Sequence, residues 1–475
     1  MARDADDERF LGGIGARARR APLGAQAALL RRDLALVHTD AITGSVMVGT
    51  GETYIAAFAL ALGLGDIVSG IVTTGPLLAG AVLQLVSPFG VRRLGSHRRW
   101  VVLCAALQAA SFAPLVLAAL VGRLSAAGLL AIATFYWAAG LAAGAAWNTW
   151  VGTLVPKSLR SRFFARRSRV GQLAVLAGLL LGGAILHFGE SGERHLLAFA
   201  VLFAIAGISR VGSVFLLARQ SEPDPLVEPE PLSPGAAPLA RIPGMRRLLA
   251  YLLTLQVGVQ ISASYFTGYM LGEGALHLGY GAYMLLIATS FVSKILALPA
   301  LGHFAARRGA RALLRIAGLS VVGLPALWTG SHDYRWLLAI QLLSGVAWGA
   351  HELATFLLFF DAIRPEERTQ ILTRYNLANA LAMGLGASLG ALLLKRLGVD
   401  FAGYAVVFWI SAAGRAATLP LLAWLPDARV SAPPPALSVL AARPSAGSID
   451  DPVLAERPDS PLERPTQPSD SPALG

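Results

Sequence analysis

Six ionisable side chains stand inside long apolar stretches of this 475-residue sequence, namely Glu52, Arg210, Lys294, His351, Glu352 and Arg415. Near the middle of a bilayer each such charge costs roughly 2.5–3.5 kcal/mol to insert, so these side chains must face protein or water. A carboxylate that alternates between dry and wet surroundings changes its proton affinity. Glu52 and Glu352 are therefore predicted proton carriers, and His351 is a weaker candidate for the same role.

Apolar helices have to position these side chains. Hydrophobic residues make up 55% of the chain and charged residues 14%, a balance that excludes an ordinary soluble domain. With about 20 apolar residues per crossing, the sequence predicts an all-α membrane protein of twelve transmembrane helices. We call these spans 1 to 12, at 41–64, 68–88, 99–121, 126–153, 168–189, 195–218, 247–271, 279–304, 311–330, 334–361, 375–394 and 402–425.

The later spans repeat features of the earlier ones at constant spacing. Ala200, Val201, Phe203, Ile205 and Arg210 return as Ala405, Val406, Phe408, Ile410 and Arg415. Upstream of them, Arg160, Arg166, Gly178 and Gly182 return as Arg368, Arg374, Gly386 and Gly390. Such a repeat predicts two pseudo-symmetric bundles of six helices, the organisation of many secondary transporters. The repeated glycine pairs predict close helix contacts, which we expect at the seam between the two bundles.

Composition divides the chain into five parts. We expect an N-terminal arm at 1–40, a first bundle at 41–218, a Pro- and Glu-rich linker at 219–246, a second bundle at 247–425 and a disordered tail at 426–475. Residues 26–38 of the arm have the pattern of an amphipathic helix that lies on the membrane surface.

The basic residues cluster in the loops after spans 2, 4, 6, 8 and 10. We call that membrane side the even-loop end and the opposite side the odd-loop end. The positive-inside rule predicts that the even-loop end and both termini are cytoplasmic, in a cell inner (plasma) membrane. Because the net charge of +12 is spread over these short clusters, it does not indicate a nucleic-acid binder.

Helical spacing places polar residues on one face of four spans. The four faces are Ser45, Gly49, Glu52 and Ala56 in span 1, Trp137, Gly140, Gly144 and Asn148 in span 4, Gln256, Gln260, Ser264 and Thr267 in span 7, and Gln341, Ser344, Trp348, Glu352 and Thr355 in span 10. Glu52, Lys294 and Glu352 lie at similar depth, which predicts a Lys294–Glu352 ion pair. The candidate substrate- and ion-binding residues are Glu52, Tyr54, Asn148, Gln256, Gln260, Lys294, Trp348, His351 and Glu352. Arg210 and Arg415 are predicted to be structural, with side chains that snorkel.

Twelve spans in two similar halves, a central linker and basic loops after spans 2 and 8 resemble the major facilitator superfamily of transporters. The family's loop signature, G-x-x-x-D-R-x-x-G, is matched in part by Pro88-Phe-Gly-Val-Arg-Arg-Leu-Gly95 and by Gly302-His-Phe-Ala-Ala-Arg-Arg-Gly309. Arg92 and Ala306 replace the acidic residue. The resemblance implies a central cavity lined by spans 1, 4, 7 and 10, and gating roles for Arg93, Gly95, Arg307 and Gly309. Glu366, Glu367 and Arg368, in the turn after span 10, are gating candidates on the same ground, although all these charges can equally serve topology alone.

The sequence as a whole predicts a secondary active transporter that moves a small organic solute by alternating access, with proton coupling and a slight preference for efflux. A multi-span membrane enzyme and a transporter-like sensor or assembly factor remain the alternatives. The single cysteine, Cys104, excludes a multi-cysteine metal site, and we expect neither a metal nor another cofactor. The expected partners are a small-molecule substrate and the lipid bilayer, with no nucleic acid, and the protein is expected to be a monomer.

Overall fold

A computed structural model of the protein describes residues 23–155, 160–189, 195–222, 245–362 and 368–423, and the secondary structure of these residues is helical. The α-helices of the first half are Leu23–Thr50, Ile55–Ala61, Asp66–Leu83, Ser87–Leu94, His97–Ala110, Phe112–Val121, Ala126–Leu154, Arg160–Gly189 and His195–Arg219. Those of the second half are Met245–Ala263, Phe266–Leu271, Tyr280–Arg308, Ala310–Val322, Leu324–Leu327, Tyr334–Ala362, Arg368–Leu397, Phe401–Ala416 and Leu419–Ala423.

Within the described ranges, eleven helical segments are long and apolar enough to cross a membrane. They coincide with the predicted spans 2 to 12, so the all-α membrane fold is confirmed. Span 1 is not among them. Its helix Leu23–Thr50 ends, a 3-10 turn follows at Glu52–Tyr54, and the helix resumes at Ile55–Ala61.

Spans 1 and 7 are interrupted in the same way. The helix of span 7 ends at Ala263 and resumes at Phe266. The residue before each resumed helix is a tyrosine in nearly the same conformation, Tyr54 with φ −101° and ψ 2° and Tyr265 with φ −108° and ψ 2°. The duplication seen in the sequence therefore extends to an interruption that the sequence analysis did not predict.

Each of these tyrosines ties its span to another span of the same half. The hydroxyl of Tyr54 donates to the carbonyl of Leu179 in span 5 at 2.6 Å, and that of Tyr265 donates to the carbonyl of Ala387 in span 11 at 2.5 Å. Both acceptors directly follow the first glycine of a repeated glycine pair, Gly178 or Gly386. Each hydroxyl thus satisfies a second lone pair of a helical carbonyl at equivalent places in the two halves.

The glycine pairs lie inside the halves, so the prediction that they form the seam between the halves is wrong. A methyl group at Gly178 would lie 3.1 Å from the Cα of Gly49 in span 1. A methyl group at Gly386 would lie 2.8 Å from the Cβ of Gln260 in span 7. Their role is to let spans 1 and 5, and spans 7 and 11, approach each other closely.

The described part of the N-terminal arm continues span 1 without a break, which differs from the separate surface helix predicted for residues 26–38. Val37 is fully buried. Asp33 is buried and accepts a hydrogen bond from the amide of Ser221, and Arg32 donates to the carbonyl of Arg219. This segment therefore packs against the end of span 6. Residues 1–22, most of the predicted linker (223–244) and the predicted tail lie outside the described residues.

Arg210 is held inside the first half. Its Nη1 donates to the hydroxyl of Ser213 at 2.8 Å, and that hydroxyl donates to the carboxylate of Asp40 at 2.6 Å. Asp40 itself is buried. The structural role predicted for Arg210 fits this network, which joins spans 1 and 6.

Candidate functional site: a polar cavity between the halves

A cavity of about 320 Å³ opens between the two halves and extends into the second half. Spans 1, 2 and 4 contribute to its wall on one side, and spans 7 to 12 contribute on the other. The volume lies within the range of small-molecule sites. The wall combines apolar and aromatic surface with a few amide, hydroxyl and charged groups, which is the usual make-up of a site for an organic ligand.

The predicted polar faces of spans 7 and 10 point into this cavity. Gln256, Gln260, Ser264 and Thr267 of span 7 all line it. Of the span 10 face, Gln341, Ser344, Trp348 and Glu352 line it, whereas Thr355 is buried elsewhere. Six of the nine candidate binding residues therefore lie at the cavity wall, namely Glu52, Gln256, Gln260, Lys294, Trp348 and Glu352.

Two other candidates lie away from the cavity. Tyr54 is fully buried in the contact with span 5 described above. His351 is buried behind the wall, with its ring 6.0 Å from that of Tyr251 and 5.7 Å from that of Trp348. A binding role for these two side chains does not fit their positions. The side chain of Asn148 lies outside what the structure describes, so its candidacy stays a prediction.

The predicted faces of spans 1 and 4 are only partly at the cavity. Glu52 and Ala56 line it, but Gly49 packs on the backbone of span 5. In span 4, Trp137 lines it, while a methyl group at Gly140 would lie 2.5 Å from the side-chain nitrogen of Gln108. Span 2 adds Val72, Thr73, Thr74 and Leu77 to the first-half wall. Span 2 was not among the predicted wall elements, although its adjacent threonines were the available signal.

The predicted pair of Lys294 and Glu352 is confirmed. The Lys294 ammonium lies 2.5 Å from a carboxylate oxygen of Glu352, and the two side chains are 6% and 20% exposed. A methyl group at Gly345 would clash with the carbonyl of Ser290, and one at Gly349 would lie 3.2 Å from Cγ of Lys294. The two glycines of span 10 therefore let span 8 come close enough for the pair to form.

Glu52 lies at the interruption of span 1. The hydroxyl of Tyr136 in span 4 donates to its carboxylate at 2.6 Å. The cavity therefore carries one carboxylate from each half, Glu52 from the first and Glu352 from the second, each with a different partner.

Arg415 departs from the prediction that its side chain snorkels to the membrane surface. It is 2% exposed and lines the cavity. Its Nη1 donates to the carbonyl of Val321 at 2.9 Å, and its Nη2 donates to the hydroxyl of Ser262 at 3.1 Å. The guanidinium carbon lies 6.0 Å from the centre of the Trp348 ring. Hydrogen-bond acceptors inside the half thus hold the side chain away from the membrane surface.

The halves contact each other at the odd-loop end. In the described part of the chain, the hydroxyl of Tyr404 in span 12 donates to the carboxylate of Asp66 in span 2 at 2.9 Å. The His195 ring nitrogen and the Tyr280 hydroxyl are 3.3 Å apart, and the rings of Phe199 and Tyr280 pack with centres 5.7 Å apart. These contacts close the cavity at this end.

Removing the Tyr404 hydroxyl is expected to loosen this closure. Tyr404→Phe loses a hydrogen bond to a carboxylate, which is worth about 1.5 kcal/mol. The population of the state that is open at the odd-loop end should therefore rise about tenfold. The measurement is the rate at which an impermeant maleimide, added at the odd-loop side of oriented vesicles, labels Thr267→Cys in a Cys104→Ser background. Tyr334→Phe is the matched control, because it removes a hydrogen bond to Ala282 within the second half. Equal labelling rates in the two variants would show that the Asp66 contact does not hold the halves together.

The gating candidates lie at the even-loop end. Arg93 and Arg307 are exposed, and Gly95 and Gly309 end their helices with φ of 62° and 87°, a conformation that favours glycine. Glu366 and Glu367 lie outside the described residues, as does the side chain of Arg368. The gating roles of all these residues stay predictions.

A carboxylate that was not predicted from the sequence binds the end of the loop after span 2, the loop in which Arg92 replaces the acidic residue of the family signature. Glu222, at the start of the predicted linker, accepts hydrogen bonds from the Ser96 hydroxyl at 2.5 Å and from the Arg98 amide at 3.1 Å. It thereby caps the first turn of span 3, where a negative charge is favourable.

Comparison with known proteins agrees with this architecture. The model of the Major Facilitator Superfamily matches residues 265–458. None of the curated protein sequences matches the chain.

Among solved structures, the nucleoside transporter NupG is 13% identical, with a TM-score of 0.60 over 84% of this chain and 100% of that one. A bacterial homologue of the iron transporter ferroportin is 16% identical. Its inward-facing state has a TM-score of 0.58 over 82% of this chain and 98% of that one, and its outward-facing state with soaked iron has a TM-score of 0.53 over 81% and 98%. The chain is therefore an integral membrane protein whose fold is that of two-bundle transporters.

Proposed function

We propose that the chain is a member of the major facilitator superfamily, whose model matches residues 265–458, and that it is a secondary active transporter that carries a small organic solute by alternating access. The observation that carries this proposal is the polar cavity between two halves that contact each other at one end. In such a carrier the halves rock about a central site and expose it to one side of the membrane at a time.

The direction in which the cavity faces follows from the proposed orientation. The basic loops favour an even-loop end in the cytoplasm of a cell whose inner (plasma) membrane holds the protein. The contacts of Asp66 with Tyr404 and of His195 with Tyr280 then lie at the outer end. In this state the carrier is closed to the outside; because exporters and importers both pass through such a state, the preference for efflux stays a prediction.

We further propose that protons drive the transport, through Glu52 and Glu352. A proton on Glu352 removes its charge and releases Lys294, and a proton on Glu52 changes its hydrogen bond with Tyr136. Because the cavity becomes wet or dry as the halves move, the proton affinity of both carboxylates changes during the cycle. That change is what coupling to a proton gradient requires.

The test uses the purified full-length chain. Small organic compounds are screened for an increase in melting temperature, and the compounds found are followed across liposomes with and without a pH gradient, with an internal pH dye. We expect solute flux that depends on the gradient and moves protons, and we expect Glu52→Gln and Glu352→Gln each to uncouple it. Glu273→Gln is the control because Glu273 is exposed.

Two results would count against the proposal in different ways. If Glu52→Gln and Glu352→Gln both kept gradient-driven flux, proton coupling at these carboxylates would be abandoned. If no compound produced flux in the unaltered protein, the transporter assignment itself would fail in favour of a sensor or enzyme with this fold.

A further inference from the structure

The cavity wall of the second half carries an excess positive charge. Its charged residues are Lys294, Glu352 and Arg415, and the first two neutralise each other at 2.5 Å. Among the described residues, no carboxylate forms an ion pair with Arg415, whose partners are the neutral oxygens of Val321 and Ser262. A cation buried in a membrane protein without a counter-charge is costly.

The guanidinium is held in a fixed position with hydrogen-bonding capacity to spare. Ser262, which accepts from Nη2, lies 2.9 Å from the hydroxyl of Ser411, and Ser411 donates to the carbonyl of Gly258 at 2.7 Å. Nε of Arg415 is buried and makes no hydrogen bond to any residue that the structure describes. Because a guanidinium has five N–H groups in a planar fork, a preorganised one with free donors is suited to bind a carboxylate through two parallel bonds.

The equivalent arginine of the first half, Arg210, has a carboxylate nearby. Arg210 occupies the equivalent place in the sequence repeat and shares Ser213 with the buried carboxylate of Asp40. Neither span 7, from Met245 to Leu271, nor span 12, from Phe401 to Ala423, contains an Asp or Glu. The repeated cation of the second half therefore has no acid on spans 7 and 12, whereas that of the first half has Asp40. Of the two arginines, only Arg415 borders the cavity.

The surroundings of Arg415 are suited to the uncharged, apolar part of an organic anion. Trp348 lies beside the guanidinium, and Trp328 and Phe291 add further apolar surface to the same wall. Gln256 and Gln260 offer neutral hydrogen-bonding groups. An aromatic or otherwise planar apolar body can pack on the indole rings while its charged group reaches Arg415.

We propose that Arg415 is an anion-binding residue of the cavity and that the solute is an amphipathic organic acid with a carboxylate and a planar apolar body. This rests on the proposed transport function for its physiological meaning, but binding alone can establish it. The carboxylate supplies the counter-charge that the second half lacks, and the Trp348 side of the wall takes the apolar body.

The experiment measures equilibrium binding to the full-length protein in detergent. The probes are benzoate, 3-phenylpropionate and indole-3-acetate, each compared with its neutral primary amide, and the readouts are melting temperature and tryptophan fluorescence. We expect the acids to bind at least about tenfold more tightly than their amides, as charge-assisted hydrogen bonds imply. Arg415→Gln should remove that preference, and Arg415→Lys should weaken it, because an ammonium cannot form the fork. Arg335→Gln is the control, since Arg335 is exposed.

The comparison of acids with amides needs only the unaltered protein, so it stays decisive if Arg415→Gln fails to fold. Amides that bind as tightly as the acids, no binding by any acid, or unchanged acid binding to Arg415→Gln would each overturn the anion site. Acid binding without flux in liposomes would support the anion site and contradict the transport function. Gradient-driven flux of a neutral or cationic solute, with no acid binding, would support the transport function and contradict the anion site.

Discussion

Lys294→Met alone is expected to destabilise the protein strongly, whereas Lys294→Met combined with Glu352→Leu is expected to recover most of the loss. The single change leaves a largely buried carboxylate without its cation, which costs about 3 kcal/mol, while the double change removes both charges. We place the cost at the lower end of the range because Glu352 is 20% exposed to the cavity. The measurement is the apparent melting temperature of each purified variant.

Arg307→Met serves as the control for this pair, since Arg307 is an exposed cation at the end of the same helix. It is expected to melt as the unaltered protein does. If the double variant melted as early as Lys294→Met, the ion pair would not be the source of the loss. Transport is expected to fail in both variants, because Glu352 can no longer exchange a proton against Lys294.

The second large effect is expected at the contact between spans 7 and 11. In Gly386→Ala and Gly390→Ala the new methyl groups would meet the carbonyls of Val257 and Ile261, and would lie 2.8 Å from Cβ of Gln260 and 2.6 Å from Cε2 of Tyr265 respectively. Overpacking of this kind costs roughly 1–3 kcal/mol per site. We expect the double variant to lose most of its folded, monodisperse yield in size-exclusion chromatography.

Gly144→Ala is the matched control for the glycine variants. Gly144 is also in the middle of a span, but a methyl group there would meet none of the described atoms within 4 Å. Its yield and melting temperature are expected to stay unchanged. Because Gln260 and Ser264 are cavity residues of span 7, a Gly386→Ala protein that does fold is expected to bind solute more weakly. Equal yields for Gly386→Ala and Gly144→Ala would refute the close contact.

Helical periodicity predicted the cavity residues well where the helix is regular. The span 10 face follows one continuous helix, Tyr334–Ala362, and four of its five predicted residues line the cavity. The prediction for span 1 was only partly correct, for a local reason. The stripe from Ser45 to Ala56 assumed a constant rotation per residue, but the 3-10 turn at Glu52–Tyr54 changes that rotation. Gly49, before the turn, consequently packs on span 5, whereas Glu52 and Ala56 line the cavity.

By itself the sequence determined the twelve spans, the duplication and the pairing of Lys294 with Glu352, because apolar length, recurrence and the depth of a charge can all be read along one chain. It did not determine which contacts the repeated residues make. Arg210 and Arg415 are equivalent in the sequence, yet one joins Ser213 and Asp40 and the other borders the cavity without an acid. Only the tertiary structure decided this, because the partners of a buried charge come from helices that are distant in the chain, and spacing within a single helix does not specify them.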